Sequence, residues 1–392
     1  MVTSGKATRD LGINTILTHC GNDPHEYHGF VNPPVVRAST VLFPDAGTMA
    51  SENQKYTYGT HGTPTTDALC NAIDQLEGSA GTLLVPSGLA AVSVPLLAFL
   101  KQGDHILFVD TIYHPTRRFA NSMLKGFGIE VEYYPPHIGA DIATLIRPNT
   151  RVVFTESPGS NTFEIQDIPA IVKAAHAHDI VVMMDNTWAT PLYFKALDYG
   201  VDITIHAGTK YPSGHSDVLF GMISANEKHW KQLEDSYTAL GMCVNSDDAY
   251  QILRGLRSMG LRLNHHQQSA LTIARWLEQQ PQVARVLHPA LESHPDHALW
   301  KRDFKGASGV FSIVLASGGK EEAHKLLDSL KLFGLGYSWG GYESLAVHVN
   351  LGDRTVAAHT YEGPVIRLQI GLEDTQDLIN DLQQGLTTIS AG

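Results

Sequence analysis

Three short stretches carry residue types that can do chemistry together. The apolar run Val181-Val182-Met183-Met184 ends in Asp185, followed by Asn186-Thr187-Trp188, which sets one carboxylate at the mouth of a hydrophobic strand. Asp202-Ile203-Thr204-Ile205 leads through Ala207-Gly208-Thr209 to Lys210, an amine preceded by a hydroxyl. In Pro86-Ser87-Gly88-Leu89-Ala90-Ala91 a small-residue turn opens a helix, whose free amides and dipole suit a phosphate. Taken singly, each has an ordinary explanation: a turn cap, a surface lysine, a packing glycine. Taken together they supply an anion cradle, a carboxylate that keeps a pyridine nitrogen protonated, and an amine for covalent attachment. Those are the requirements of pyridoxal 5′-phosphate.

The elements that must position these residues alternate. Helical stretches at Asp67–Glu77, Leu89–Leu100 and Asp167–His178 are interleaved with apolar runs at Thr82–Val85, His105–Val109, Arg151–Glu156, Ile180–Asp185 and Asp202–His206. The rhythm predicts an α/β fold with a mostly parallel sheet buried on both faces, which binds ligands beyond the carboxyl ends of its strands. Leu83 to Leu100 carries no charge, but Pro86, Ser87, Gly88 and Pro95 divide it into strand, turn and buried helix instead of a membrane span. A long helix over Ser246–Glu278 precedes strands at Gly309–Ala316 and Val365–Ile370 and helices at Lys320–Leu330 and Asp374–Leu386. This places a change of domain near Arg257. The expected division is an N-terminal arm over 1–60, a cofactor-binding large domain over 61–256 and a smaller C-terminal α+β domain over 257–392.

Composition limits the alternatives. The chain has 392 residues and, with 28 Lys+Arg against 40 Asp+Glu, a formal charge of −12. Hydrophobic residues at 43% against 17% charged describe a globular protein, and an acidic chain without basic stripes has no nucleic-acid partner. Cys20, Cys70 and Cys243 are too few and too scattered for a disulfide framework, which suits a reducing cytoplasm. Met1–Asn14 shows no secretory signal. Among the 20 histidines, His265-His266 and His294-Pro295-Asp296-His297 lack a third ligand at metal spacing, so no metal is expected. Pro86-Ser87-Gly88 is not the Gly-x-Ser-x-Gly of a serine hydrolase.

The order Ser87-Gly88-Leu89, Tyr113, Asp185-Asn186-Thr187-Trp188, Thr209-Lys210-Tyr211 with Gly214-His215-Ser216-Asp217, Tyr337-Ser338-Trp339-Gly340-Gly341-Tyr342-Glu343-Ser344 and Arg367 resembles the Cys/Met-metabolism family of pyridoxal-phosphate enzymes, of fold type I. Within that family, Glu156-Ser157-Pro158-Gly159-Ser160 and the run around Trp339 look most like bacterial cystathionine β-lyase. The resemblance implies Lys210 as the Schiff-base lysine, Asp185 as the pyridinium partner and Tyr113 as the ring-stacking tyrosine, with Lys210 or Tyr113 protonating the departing sulfur. It also implies Gly88, Leu89 and Thr209 at the phosphate, Arg367 at the substrate carboxylate, and Ser338 and Trp339 lining the substrate site. Tyr58 would reach cofactor and substrate from a neighbouring subunit of a homotetramer, a dimer of dimers. The implied reaction is β-elimination of cystathionine or a similar S-substituted cysteine to homocysteine, pyruvate and ammonia. Cystathionine γ-lyase, methionine γ-lyase and γ-synthase share nearly all these residues, and a non-catalytic binding protein of the same fold is the rival of another class.

Two positions depart from the family pattern. Aligned on Gly62-Thr63-Pro64-Thr65, Thr60 stands where many relatives place a phosphate-binding arginine, with His61 beside it. Ala207, three residues before Lys210, stands where many relatives carry a hydroxyl.

Overall fold

The computed structural model describes residues 11–358 and 360–389. Seven strands form the first sheet: β1 (Gly81–Val85), β2 (His105–Val109), β3 (Glu130–Tyr134), β4 (Thr150–Glu156), β5 (Val181–Asp185), β6 (Ile203–Ala207) and β7 (Gly221–Ala225). Their order is β1-β7-β6-β5-β4-β2-β3, and only β7 runs antiparallel to its neighbours. Strands β1 and β2 are buried at every position, as their unbroken apolar sequence requires when helices cover both faces. The uncharged stretch resolves as read: β1 ends at Val85, Ser87 caps the helix Gly88–Phe99, and that helix is buried along Ala91, Val92, Val94 and Leu96. No helix among the described residues is long and apolar enough to cross a membrane.

A second, antiparallel sheet, in the order β10-β11-β9-β8, is built from β8 (Val283–Leu287), β9 (Val310–Leu315), β10 (Leu345–His348) and β11 (Val365–Gln369). The helix Ser246–Leu277 joins the two halves. Its residues from Ala249 to Leu263 pack with Leu69, Ile73 and Phe220, whereas Ala270, Ile273 and Leu277 belong to the core that includes β9 and β11.

Several elements differ from the sequence reading, each for a local reason. The helix expected from Asp67 starts at Pro64, because Thr63 caps it and exchanges bonds with Thr66 in a capping box. The arm is not all loop; it holds the helices Ile13–His19 and Ala46–Ser51. Strands β3, β8 and β10 were not anticipated. All three lie at sheet edges, where polar residues such as Glu130, Glu132 and Arg285 interrupt the apolar signal. Strand β7 is interior, but its Gly-Met-Ile-Ser-Ala sequence is too small-sided to read as a strand. Of Met1–Asn14, where the sequence shows no secretory signal, the first ten residues lie outside the described residues.

Candidate active site

The candidate residues meet at the carboxyl ends of the parallel strands. Tyr113 follows β2, Glu156 ends β4, Asp185 ends β5 and Lys210 stands three residues beyond β6. With Gly88, Leu89, Thr209, Trp339 and Arg367 they line one cavity of about 240 Å³. A larger hollow of about 570 Å³ beside β8 lacks all of them. Three of the charged side chains on its wall are already paired, as His137–Asp296, Arg285–Glu362 and Glu164–Arg354.

The lysine is held by the second half of the chain. Lys210 Nζ donates to Ser338 Oγ at 2.5 Å and lies 5.2 Å from the Trp339 ring centroid. Burial and the nearby Arg367 guanidinium pull its pKa down to about 8, against the opposing pull of Asp185. Ser338 adopts φ +87, a left-handed backbone uncommon for serine. The next glycine turn packs on the lysine itself, because a Cβ on Gly340 would lie 3.1 Å from the Lys210 carbonyl carbon.

Asp185 Oδ1 accepts from the Thr187 amide at 3.0 Å and the Thr187 hydroxyl at 2.6 Å, and that hydroxyl accepts from the Ala207 amide at 3.0 Å. Burial raises the Asp185 pKa, while the Thr187 bonds and the positive charge of Lys210 hold it back. Directly opposite it in the parallel β4–β5 register stands Glu156. Glu156 Oε2 accepts from the Tyr113 amide at 2.7 Å, and burial together with Asp185 drives its pKa well above the usual carboxylate range. Glu156, not among the site residues expected from sequence, gives there the same signal as Asp185, an acid ending an apolar run.

Arg367 rises from β11 on the far wall. Its Nη1 donates to Asn161 Oδ1 at 3.1 Å and its Nη2 to the Ser338 carbonyl at 3.2 Å. No carboxylate pairs with it among the described residues, and burial lowers its pKa despite opposition from Tyr113 and Tyr337. A largely buried guanidinium held only by neutral oxygens suits an incoming carboxylate.

The opposite end fits a phosphate. Ser87 Oγ accepts from Ala90 at 3.1 Å, so the amides of Gly88 and Leu89 at the helix start stay outside the turn's own bonds. A Cβ on Gly88 would lie 2.7 Å from the Ala207 Cβ, so a larger residue would push the turn away from β6. Thr209 is less open than expected. Its hydroxyl accepts from the Phe220 amide at 2.9 Å and donates to the Phe220 carbonyl at 3.3 Å, and the longer bond is the one a phosphate oxygen could replace. Tyr58 does not line this cavity: it is 48% exposed, and its hydroxyl lies 3.4 Å from Ser39 Oγ. His61 bonds Thr57 Oγ1 at 2.7 Å, next to Thr60 in the short turn Gly59–His61. Among the described residues, no three His, Cys, Asp or Glu side chains group to hold a metal.

The arrangement is shared. Residues 14–387 match the family described as Cys/Met metabolism PLP-dependent enzyme. The chain belongs to that family. It is 66% identical, over 98% of both chains, to a putative cystathionine β-lyase of Rhizobium johnstonii. It is 44% identical to the cystathionine β-lyase MetC of Escherichia coli, over 97% of this chain and 99% of the relative. The crystal structure of metB from Corynebacterium glutamicum superposes with a TM-score of 0.90 at 30% identity, covering 96% of this chain and 98% of that one. As a member of the Cys/Met metabolism family, the chain is a pyridoxal-phosphate-dependent lyase of fold type I. An anion cradle, a strand-end carboxylate and a desolvated amine around one cavity fit that cofactor.

Proposed function

We propose that the chain is a β-eliminating carbon–sulfur lyase acting on cystathionine or a similar S-substituted cysteine. The observation that carries this reading is the convergence of Lys210, Asp185 and Arg367 on one cavity beside Trp339. Gly88, Leu89 and Thr209 would hold the cofactor phosphate, Asp185 its ring nitrogen, Tyr113 its ring face, and Lys210 its aldehyde. Bound pyridoxal phosphate supplies an electron sink for the negative charge left at the substrate Cα. The chain's own residues do the rest. Arg367 grips the substrate α-carboxylate and sets the Cα–H bond toward Lys210. Lys210 Nζ, whose hold on a proton is weakened by burial, takes the α-proton. Lys210 or Tyr113 returns a proton to the leaving sulfur, and Ser338 holds the lysine between these two duties.

Tyr58, outside the cavity of its own chain, enters a neighbour's site in this reading, so the working form is a homotetramer built as a dimer of dimers. The three free cysteines fit a cytoplasmic setting. The domain division at 61–256 and 257–392 falls within the joining helix, whose packing changes partners after Leu263. The γ-elimination reading uses the same cofactor residues, and product analysis separates the two. Incubation with cystathionine should release pyruvate and homocysteine; 2-oxobutyrate and cysteine would mean γ-chemistry. A Lys210→Ala protein should lose turnover by several powers of ten, since base and attachment point vanish together. Unchanged turnover would sink the assignment, and colourless purified wild type that takes up no cofactor would favour a binding protein.

A further inference from the structure

Asn161 holds Arg367 and carries more than that bond requires. A guanidinium has only donors, so the Asn161 atom facing Arg367 Nη1 at 3.1 Å is the amide oxygen, and this fixes which way the amide points. The Nδ2 group is therefore presented beside the guanidinium, on a residue that lines the cavity. The backbone is shaped for this placement. Asn161 adopts φ +68 and Phe163 φ +62, left-handed conformations that asparagine tolerates better than phenylalanine and that persist where the surroundings hold them.

The surroundings do enforce them. Ser312 on β9 donates to the Asn161 carbonyl at 2.7 Å. Arg354, its side chain 5% exposed, grips the Ser160 carbonyl at 2.8 Å and the Thr162 hydroxyl at 2.6 Å, and pairs with Glu164 at 3.3 Å. The Ser160 amide donates to the Thr111 carbonyl at 2.7 Å and Gly159 to the Glu164 carbonyl at 2.8 Å. The loop is fastened on both sides of one side chain, and that side chain touches the carboxylate-binding arginine.

We propose that Asn161 is a substrate-binding residue whose Nδ2 donates to the α-carboxylate held by Arg367, with Arg354 as its positioning residue. This rests on the reading of Arg367 above, and the test separates the two. Asn161→Gly removes the amide while tolerating the left-handed backbone. Holoenzyme is titrated with glycine and with methylamine, which lacks the carboxylate, and the shift of the cofactor absorption band is followed. Asn161→Gly should weaken glycine about tenfold, ~1.4 kcal/mol, and leave methylamine within about twofold. Asn161→Asp should weaken glycine further, because its charge competes for Arg367 and repels the ligand. If Arg367→Lys weakens glycine and Asn161→Gly does not, the proposal for Asn161 fails alone. If Arg367→Lys binds glycine normally, the reading of Arg367 fails. Equal loss of glycine and methylamine in Asn161→Gly would mean a collapsed loop and would also overturn the proposal.

Discussion

Burial in a dry cavity penalises the ammonium form of Lys210 and brings its deprotonation within reach of neutral pH. With a pKa of about 8, the reactive fraction falls roughly tenfold per pH unit on the acid side. Cofactor-free protein mixed with pyridoxal phosphate should therefore recover its bound absorbance at a rate that climbs steeply between about pH 6 and 8 and then levels off. Stopped-flow absorbance checks this, and a flat rate across that interval would contradict the lowered value. Lys210 is legible in the sequence through its company, the Asp185 strand end and the Ser87-Gly88 turn, since alone it reads as an ordinary surface lysine. Asn161 is illegible there. An asparagine between a serine and a threonine gives no sign of a function that depends on a left-handed turn and on an arginine 206 positions away. The apparent loss of charge at Thr60 is likewise visible in sequence, while the commitment of Thr209 to Phe220 is visible only in three dimensions.

The elements that carry the site are tied together at the opposite end of the sheet as well. Asp202, just before β6, accepts from the Val182 amide at 2.8 Å on β5 and lies 2.9 Å from His176 Nε2 on the helix Ile168–His176. It also takes Asn226 Nδ2 at 2.8 Å, from the cap of the helix Glu227–Ala239. Burial alone would raise its pKa, but bonds from His229, Val182 and His176 outweigh burial and lower it from 3.8 to about 2. A carboxylate more acidic in the folded chain contributes stability in full above pH 3.8 and loses it as pH falls toward about 2. Asp202→Asn should cost roughly 2 kcal/mol in chemical denaturation at pH 7, with the same gap at pH 5. A gap under about 0.5 kcal/mol would show that the amide replaces these bonds. Buried strands and their ends were readable from sequence because burial on both faces leaves an uninterrupted apolar run. The edge strands β3, β8 and β10 were not, since exposure admits charge and erases the run.

At the scale of the whole chain, the arm and the mouth of the site leave large apolar side chains in the open: Phe30 and Val31 at 72%, Leu42 at 85% and Tyr337 at 91% exposure. Large apolar side chains left open in the arm are in keeping with its expected place against a neighbouring subunit. Sedimentation should give a mass above one chain at micromolar concentration, and Tyr58→Ala should lower activity without releasing monomers. A fully active monomer would remove Tyr58 from the site. The sheet order has a consequence for synthesis. Strand β1 pairs only with β7, whose residues emerge from the ribosome some 140 positions later, and Gly88 and Leu89 hang directly on β1. At about 5–20 residues per second the strand waits roughly 7–28 s for its partner. A nascent chain stopped before Gly221 should thus hold the cofactor lysine, its acid and its cradle, yet retain no cofactor, because β1 still lacks its partner.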